Sequence, residues 1–105
     1  MADVRLYLGL GGPGERDGRA RAKAIRICTE WLDGATFYDG EGLWKGELEP
    51  CMVIEVLGAD PDLMRRLAAH LAKEFGQSCV IMKTYLGLEG MEFIGPNHFT
   101  PLAEL

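Results

Sequence analysis

An α+β fold is what this 105-residue sequence predicts, and three features of the chain support that prediction. Short apolar segments with the period of β-strands alternate with two segments that have the period of an α-helix. Apolar residues make up 48% of the chain, which is enough for one hydrophobic core. The length is that of one ordinary domain, and neither a linker nor an internal repeat divides it. We therefore predict a single domain over residues 1–105.

The first part of the chain predicts a strand, a loop and a helix. Apolar and polar side chains alternate over residues 4–10, as they do in a half-buried strand. The next eight residues, GGPGERDG, contain four glycines and a proline and predict a loop. A helix is predicted over residues 19–32, with Asp17 as its cap and Gly34 just past its end. Its buried stripe is predicted to consist of Ala24, Ile27, Cys28 and Trp31.

The middle of the chain predicts two strands around a hairpin, followed by a second helix. The strands are expected at about residues 35–39 and 51–57, and the segment DGEGLWKGELEP, residues 39–50, is predicted to be a turn-rich hairpin. The second helix has clear boundary signals. Asp60 is a good N-cap, Pro61 suits the first helical position, and Gly76 ends the helix.

The last part of the chain predicts a fourth strand over residues 78–86 and a short fifth strand over residues 91–94. Glu89-Gly90 is expected to form a tight turn between them, and the tail beyond is expected to wrap the surface. The predicted order is then β-α-β-β-α-β with one added strand, which is the ferredoxin-like split βαβ pattern. Both faces of the fourth strand are largely apolar, so we expect the free face of the sheet to be covered by oligomerisation.

Charge and composition limit the class of function. The net charge of −5 disfavours a general nucleic-acid binder, which needs a basic surface. No apolar run is long enough to span a membrane and no signal peptide is visible, so we expect a cytoplasmic protein. Cys28, Cys51 and Cys79 are widely spaced and are expected to be free thiols packed in apolar segments. His70 and His98 are too isolated to predict a metal site, and no metal or cofactor is expected.

The stretch GLGGPG, at Gly9–Gly14, matches the dinucleotide-binding pattern G-x-G-x-x-G, but its context does not. Pro13 removes a backbone N–H that a phosphate would need, and the four residues after Gly14 delay the helix by about one turn. The chain also has no room for a doubly wound sheet. Arg16 and Arg19 leave a looser phosphate site open as an alternative to a plain glycine-rich surface loop.

The densest set of polar and aromatic side chains lies in the hairpin, and it provides four of the six candidate ligand-binding residues. An exposed indole in a hairpin is costly to solvate, so we expect a ligand, another subunit or another part of the chain to cover it. A solvated acidic hairpin is the alternative interpretation. A basic face, formed by Arg19, Lys23 and Arg26 on the first helix, could meet an anion or an acidic partner, or it could simply face solvent. The candidate ligand-binding set is Trp44, Lys45, Glu47, Glu49, Arg16 and Arg19.

The segment LWKGELEPCMVIEVLG resembles the second hairpin of CutA proteins and, more distantly, of PII signalling proteins. Trp44, Gly46 and Glu49 match the W-x-G and following glutamate of CutA chains, and the order of elements agrees over residues 4–86. The resemblance implies a ferredoxin-like trimer. The chain lacks the His-Pro-Tyr-Glu-like run of CutA and the long loop of PII. It is also similar to small bacterial proteins of unassigned function that carry FGQ after the second helix.

Three functions stay open at this stage. The first is a non-catalytic binding or regulatory module, a trimer or dimer, that holds a small anionic ligand or a protein partner near the hairpin. The second is a small enzyme with its active site on the sheet, using Tyr7, Glu55, Lys83 or Tyr85. This hypothesis weakens if Glu55 simply pairs with Arg5 or Lys83 across strands. The third is a structural interaction protein that uses the basic first helix.

Overall fold

The computed structural model describes residues 2–11, 18–86 and 88–97. Two helices pack on one face of an antiparallel sheet, which confirms the α+β, ferredoxin-like class. The elements in chain order are β1 (Ala2–Gly9), α1 (Arg19–Trp31), β2 (Thr36–Trp44), β3 (Glu47–Ala59), α2 (Pro61–Glu74), β4 (Val80–Leu86) and β5 (Leu88–Ile94).

The strand order in the sheet is β2-β3-β1-β4-β5, and every neighbouring pair is antiparallel. The first four strands follow the split βαβ arrangement, in which β3 lies between the two strands that α1 connects. β5 pairs with β4 at one edge of the sheet, and β2 forms the opposite edge. β1 is therefore the central strand and has β3 and β4 as its neighbours.

The core lies between the sheet and the helices. Alternate residues of β1 point into it, because side chains alternate across a strand, and Val4, Leu6 and Leu8 are fully buried. Leu67 and Leu71 of α2 meet them from the other side. The predicted stripe of α1 is confirmed for Ala24, Ile27 and Cys28, which are buried, whereas Trp31 packs at the margin of the core.

The boundaries of α2 agree with the sequence prediction. Asp60 is the N-cap, and its side chain accepts a 3.0 Å hydrogen bond from the backbone N–H of Asp62. Pro61 occupies the first helical position. At the other end Gly76 has a φ of +60°, and the N–H of Gln77 donates to the carbonyl of Ala72 at 2.9 Å. This left-handed residue closes the helix as glycine usually does.

The cap of α1 differs from the prediction. The N-cap is Gly18, with a φ of +85° and no side-chain hydrogen bond, so the expectation that Asp17 caps the helix is wrong. Asp17 itself lies outside the described residues. The left-handed backbone at this position suits glycine, and Gly18 accepts the first helical hydrogen bond from the N–H of Ala22 at 3.0 Å through its carbonyl.

The hairpin contains far less turn than the sequence predicts. β2 and β3 run on as paired strands until only Lys45 and Gly46 remain between them. These two residues have φ values of 51° and 81°, which is the left-handed pair of a two-residue hairpin turn. The prediction was wrong because Gly40 and Gly42 resemble turn residues in the sequence, whereas the ladder pairs them with Cys51 and Glu49.

The expected turn at Glu89-Gly90 is also wrong. Both residues lie within β5, where Glu89 pairs with Tyr85 and Gly90 with Thr84. The ladder between β4 and β5 begins instead with the pair Leu86 and Leu88. The sequence predicts a surface tail over residues 95–105, and residues 98–105 of that tail lie outside the described residues. Among the described helices, none is long and apolar enough to cross a membrane.

Candidate functional site

The face of the sheet opposite the helices carries a cluster of charged and aromatic side chains. Residues of β1, β2, β3 and β4 that alternate with the core residues share this face, because their register places them side by side. We call it the open face and define it by Asp3, Arg5, Tyr7, Tyr38, Cys51, Val53, Glu55, Ile81, Lys83 and Tyr85. Most of these residues are half-buried.

Arg5 and Glu55 form the centre of the open face. They sit directly opposite each other in the β1–β3 register. The Nε of Arg5 donates to Oε2 of Glu55 at 2.5 Å, and the Glu55 side chain is only 15% exposed. The Oη of Tyr38 donates to the other carboxylate oxygen, Oε1, at 3.1 Å. Both oxygens of Glu55 therefore have a partner from a neighbouring strand.

Two cations lie against the ring of Tyr85 beside this ion pair. The guanidinium carbon of Arg5 is 5.5 Å from the ring centroid, and Nζ of Lys83 is 5.2 Å from it. Arg5 and Lys83 are opposite each other in the β1–β4 register. Both cations are within the range of a cation–π interaction. The open face thus places positive groups and an aromatic ring next to one fixed carboxylate.

The pKa shifts follow from these contacts. The hydrogen bond from Arg5 lowers the pKa of Glu55 below its ordinary value, and the bond from Tyr38 acts in the same direction. The pKa of Tyr38 is raised, because its hydroxyl donates a hydrogen bond to the negatively charged Glu55 carboxylate. The bond to Glu55 likewise raises the pKa of Arg5. Glu55 is therefore ionised at neutral pH and is not poised to exchange a proton there.

This geometry answers the question that the sequence left about Glu55. The residue does pair with Arg5 across strands, which weakens the hypothesis that it acts as a general acid or base. Tyr7, Lys83 and Tyr85, the other residues of the enzyme hypothesis, do lie on the same face.

The hairpin forms a second feature, a two-stranded arm. β1 pairs with β3 only as far as Cys51, so residues 41–50 extend past the central strand. We call residues 41–50 the arm. Leu43, Trp44 and Leu48 on it are 69%, 63% and 52% exposed. Leu43 pairs with Leu48 across the arm, and Trp44 pairs with Glu47.

The structure separates the predicted ligand-binding residues into different places. Trp44, Lys45 and Glu47 lie together at the tip of the arm, where Nζ of Lys45 is 5.7 Å from the centroid of the Trp44 ring. Glu49 is farther back and half-buried near Gly9.

Arg19 lies elsewhere, in the first turn of α1, where it lines a groove with Lys23 and Phe75. Lys23 is anchored there, because its Nζ donates to the backbone carbonyl of Glu74 at 2.9 Å. Arg16 and residues 12–14 of the glycine-rich stretch lie outside the described residues. Gly9, the first glycine of that stretch, is the last residue of β1.

The three cysteines and His70 are placed as packing residues. All three cysteines are free thiols; Cys28 is buried, and Cys51 and Cys79 are half-buried. His70 stacks on Trp31 with ring centroids 5.4 Å apart. Over residues 2–11, 18–86 and 88–97, no group of three or more His, Cys, Asp or Glu side chains is arranged to hold a metal ion.

Sequence reasoning missed the contact between Tyr38 and Glu55. The two residues are 17 positions apart, and only the register of β2 against β3 brings them together. The useful signal was the aromatic residue on β2 and the acid on β3, both of which the sequence shows. Their meeting could not be inferred while residues 40–50 were expected to be a loose hairpin.

Comparisons with known proteins support the fold. No protein-family model matches the chain, and no curated protein matches it. Among solved structures, the chain is similar to a phage SAM lyase in its apo state, with a TM-score of 0.71 and 20% sequence identity. The match covers 94% of this chain and 92% of that one. At this identity the likeness establishes a shared small α+β fold.

Proposed function

We propose that this chain is a subunit of a homo-oligomeric, non-catalytic binding module that holds a small ligand with an anionic group on its open face. The observation that carries the proposal is the cluster around Tyr85. Arg5 and Lys83 flank that ring, and the carboxylate of Glu55 keeps Arg5 in place. A flat ligand group can stack near the ring while its anion meets the cations.

The arm supports assembly into an oligomer. An isolated two-stranded hairpin is only marginally stable in water, and this one exposes Leu43, Trp44 and Leu48. A second copy that covers these side chains would remove apolar area from water and would close the open face into a cleft. The resemblance of the arm to the hairpin of CutA and PII proteins favours a trimer, with a dimer as the alternative.

Native mass and ligand binding test the proposal separately. Light scattering after size exclusion is expected to give a multiple of the chain mass, and Leu43→Lys is expected to reduce it to one chain. Tryptophan fluorescence then reports binding of ATP, a nucleotide with a strongly anionic group. The chain has two tryptophans, and Trp31 is packed against His70, so the Trp44→Phe variant assigns the signal.

The expected results are an oligomer and a ligand-dependent signal that Lys83→Gln weakens. Lys73→Gln is the matched control, because Lys73 is exposed in the last turn of α2, outside the arm and the open face. A chain that is monomeric at high concentration contradicts the assembly. An oligomer that binds neither ATP nor the ligands considered next contradicts the binding role.

A second candidate is an enzyme that acts on SAM, S-adenosylmethionine, and the likeness to a phage SAM lyase is the observation that favours it. SAM carries a sulfonium cation, a carboxylate and an adenine ring. Glu55 would attract the sulfonium, Arg5 and Lys83 would meet the carboxylate, and Tyr85 offers a ring for stacking.

Calorimetry with SAM and with S-adenosylhomocysteine tests this candidate, because the second compound lacks the sulfonium charge. Preferential binding of SAM that Glu55→Gln removes supports the site. Mass spectrometry of the incubated mixture then distinguishes the two functions. Loss of SAM with wild-type protein supports an enzyme, and bound but unchanged SAM supports a binding module.

A further inference from the structure

A cavity of about 460 Å³ lies at one end of the sheet, away from the arm. Three segments form its wall, namely the loop after α1 (residues 32–35), the end of β3 (residues 55–59) and the start of α2 (residues 60–64). This volume is within the usual range of small-molecule sites, which is about 300–1,000 Å³. The site is distinct from the cluster around Tyr85, and Glu55 borders both.

The walls of the cavity are largely apolar. Met64 is fully buried, Leu63 is half-buried beside it, and Leu57 is 71% exposed at the rim. Trp31 supplies an aromatic wall, and its ring is stacked on His70 at 5.4 Å with an interplanar angle of 28°. This stacking restrains the indole, so its orientation is set before any ligand enters.

The charged groups that line the cavity are all carboxylates. They belong to Asp33, Glu55 and Asp60, and none of the described lining residues is a Lys, Arg or His. Glu55 is ion-paired with Arg5. Asp60 already caps α2, so the positive end of that helix is satisfied and is not offered to an anion. Asp33 is exposed and has no partner among the residues that the structure describes.

We propose that this cavity binds a small organic cation with an apolar or aromatic body. The body fits against Leu57, Leu63 and the indole of Trp31, which also attracts a cation through its ring. Asp33 at the mouth supplies the charge partner. The absence of a positive side chain from the described lining selects a cation over an anion of the same shape.

Three compounds of nearly equal shape test the charge preference: phenethylammonium, 2-phenylethanol and phenylacetate. The Trp44→Phe variant leaves Trp31 as the one tryptophan of the sequence, so its fluorescence reports on the cavity. Phenethylammonium is expected to change this fluorescence at lower concentration than the alcohol, and phenylacetate is expected to have no effect. Amide NMR shifts are expected at residues 33–35 and 57–59.

Asp33→Asn in the same background is expected to weaken phenethylammonium binding by up to about fivefold, the usual range for an exposed ion pair, and to leave the alcohol unchanged. Glu30→Gln removes an equal charge from the exposed surface of α1 outside the cavity. This variant is expected to bind phenethylammonium and 2-phenylethanol as the parent does.

Equal binding of the three compounds overturns the proposal, as does an Asp33→Asn variant that binds the cation like the parent. So does the lack of any shift at the cavity residues in folded protein. These results are independent of the oligomer and of the ligand on the open face.

Discussion

The phenol of Tyr38 donates a 3.1 Å hydrogen bond to Glu55 from the adjacent strand, one diagonal step across the β2–β3 pair. Together with Arg5 it leaves the Glu55 carboxylate held on both oxygens. A ligand sulfonium would thus meet the Glu55 carboxylate, and a ligand carboxylate would meet the Arg5 guanidinium, in orientations that are already set. This preorganisation reduces the entropy cost of binding.

Glu55 is expected to make stability depend on pH. Its folded pKa lies below the ordinary value of 4.5, so its ionised form stabilises the fold above that pH, and this contribution is lost as the pH falls through the folded pKa. Urea unfolding at several pH values is expected to show that the free energy of unfolding differs between wild type and Glu55→Gln, and that this difference narrows below pH 4.5. Glu30→Gln controls for loss of a surface carboxylate, and a difference that stays constant contradicts the prediction.

Tyr38 is expected to ionise at higher pH than an ordinary tyrosine. Its folded pKa is raised above 10 by the bond to Glu55, so its stabilising contribution is complete below pH 10 and is lost as the pH rises through the folded pKa. Ultraviolet titration follows the three phenolates of the chain. Tyr38→Phe should remove a late-titrating component, and Glu55→Gln should shift that component to lower pH. The idea fails if Glu55→Gln leaves the curve unchanged.

Gly76→Ala is expected to destabilise the protein by about 1–2 kcal/mol, the cost of a left-handed conformation for a residue with a Cβ. The φ of Gly76 is +60°, and a Cβ there meets no atom within 4 Å, so no steric clash adds to the backbone strain. Gly34→Ala is the matched control, because a Cβ at Gly34 is equally free and its φ is outside the left-handed region. Denaturant unfolding should separate the two variants.

Leu67→Ala is expected to cost about 2–5 kcal/mol, because the residue is fully buried between α2 and the sheet and its loss leaves a cavity. Leu57→Ala removes the same atoms from a side chain that is 71% exposed and should change stability by about 0.5 kcal/mol or less. Similar losses for both variants would show that Leu57 is covered in solution.

Cys28 is expected to be the least reactive thiol of the native protein. It is fully buried, and burial raises its pKa to about 11, so little thiolate forms at neutral pH. Reaction with a disulfide reagent at pH 8 should spare Cys28 until denaturant is added, and peptide mapping identifies the modified positions. Cys28→Ser should leave the number of fast-reacting thiols unchanged; a loss of one fast thiol would contradict the prediction.

The helices were the most predictable part of the fold, because their signals are local. Asp60, Pro61 and Gly76 set the boundaries of α2, and each acts on the backbone within a few residues of its own position. The prediction of the α1 cap was wrong, because by residue type both Asp17 and Gly18 are acceptable N-cap residues. Only the path of the chain shows that Gly18 takes the cap position.

The arm and the open face were less predictable, because they depend on strand register. Gly40 and Gly42 look like loop residues until their pairing with β3 is known. Arg5 and Glu55 are 50 positions apart in the sequence. The local strand propensities around these two residues do not show that they meet. The sequence did identify the residue types of the open face, including Tyr7, Glu55, Lys83 and Tyr85, but not how they connect.

The central place of β1 in the sheet also bears on how the protein is made. β1 precedes both strands that flank it, so a growing chain carries β1 with both edges unpaired until β3 and then β4 leave the ribosome. During that time its apolar residues and unpaired backbone are exposed to other chains. Because pairing over such separations slows folding, the yield of folded protein should depend strongly on the speed of translation through β3 and α2.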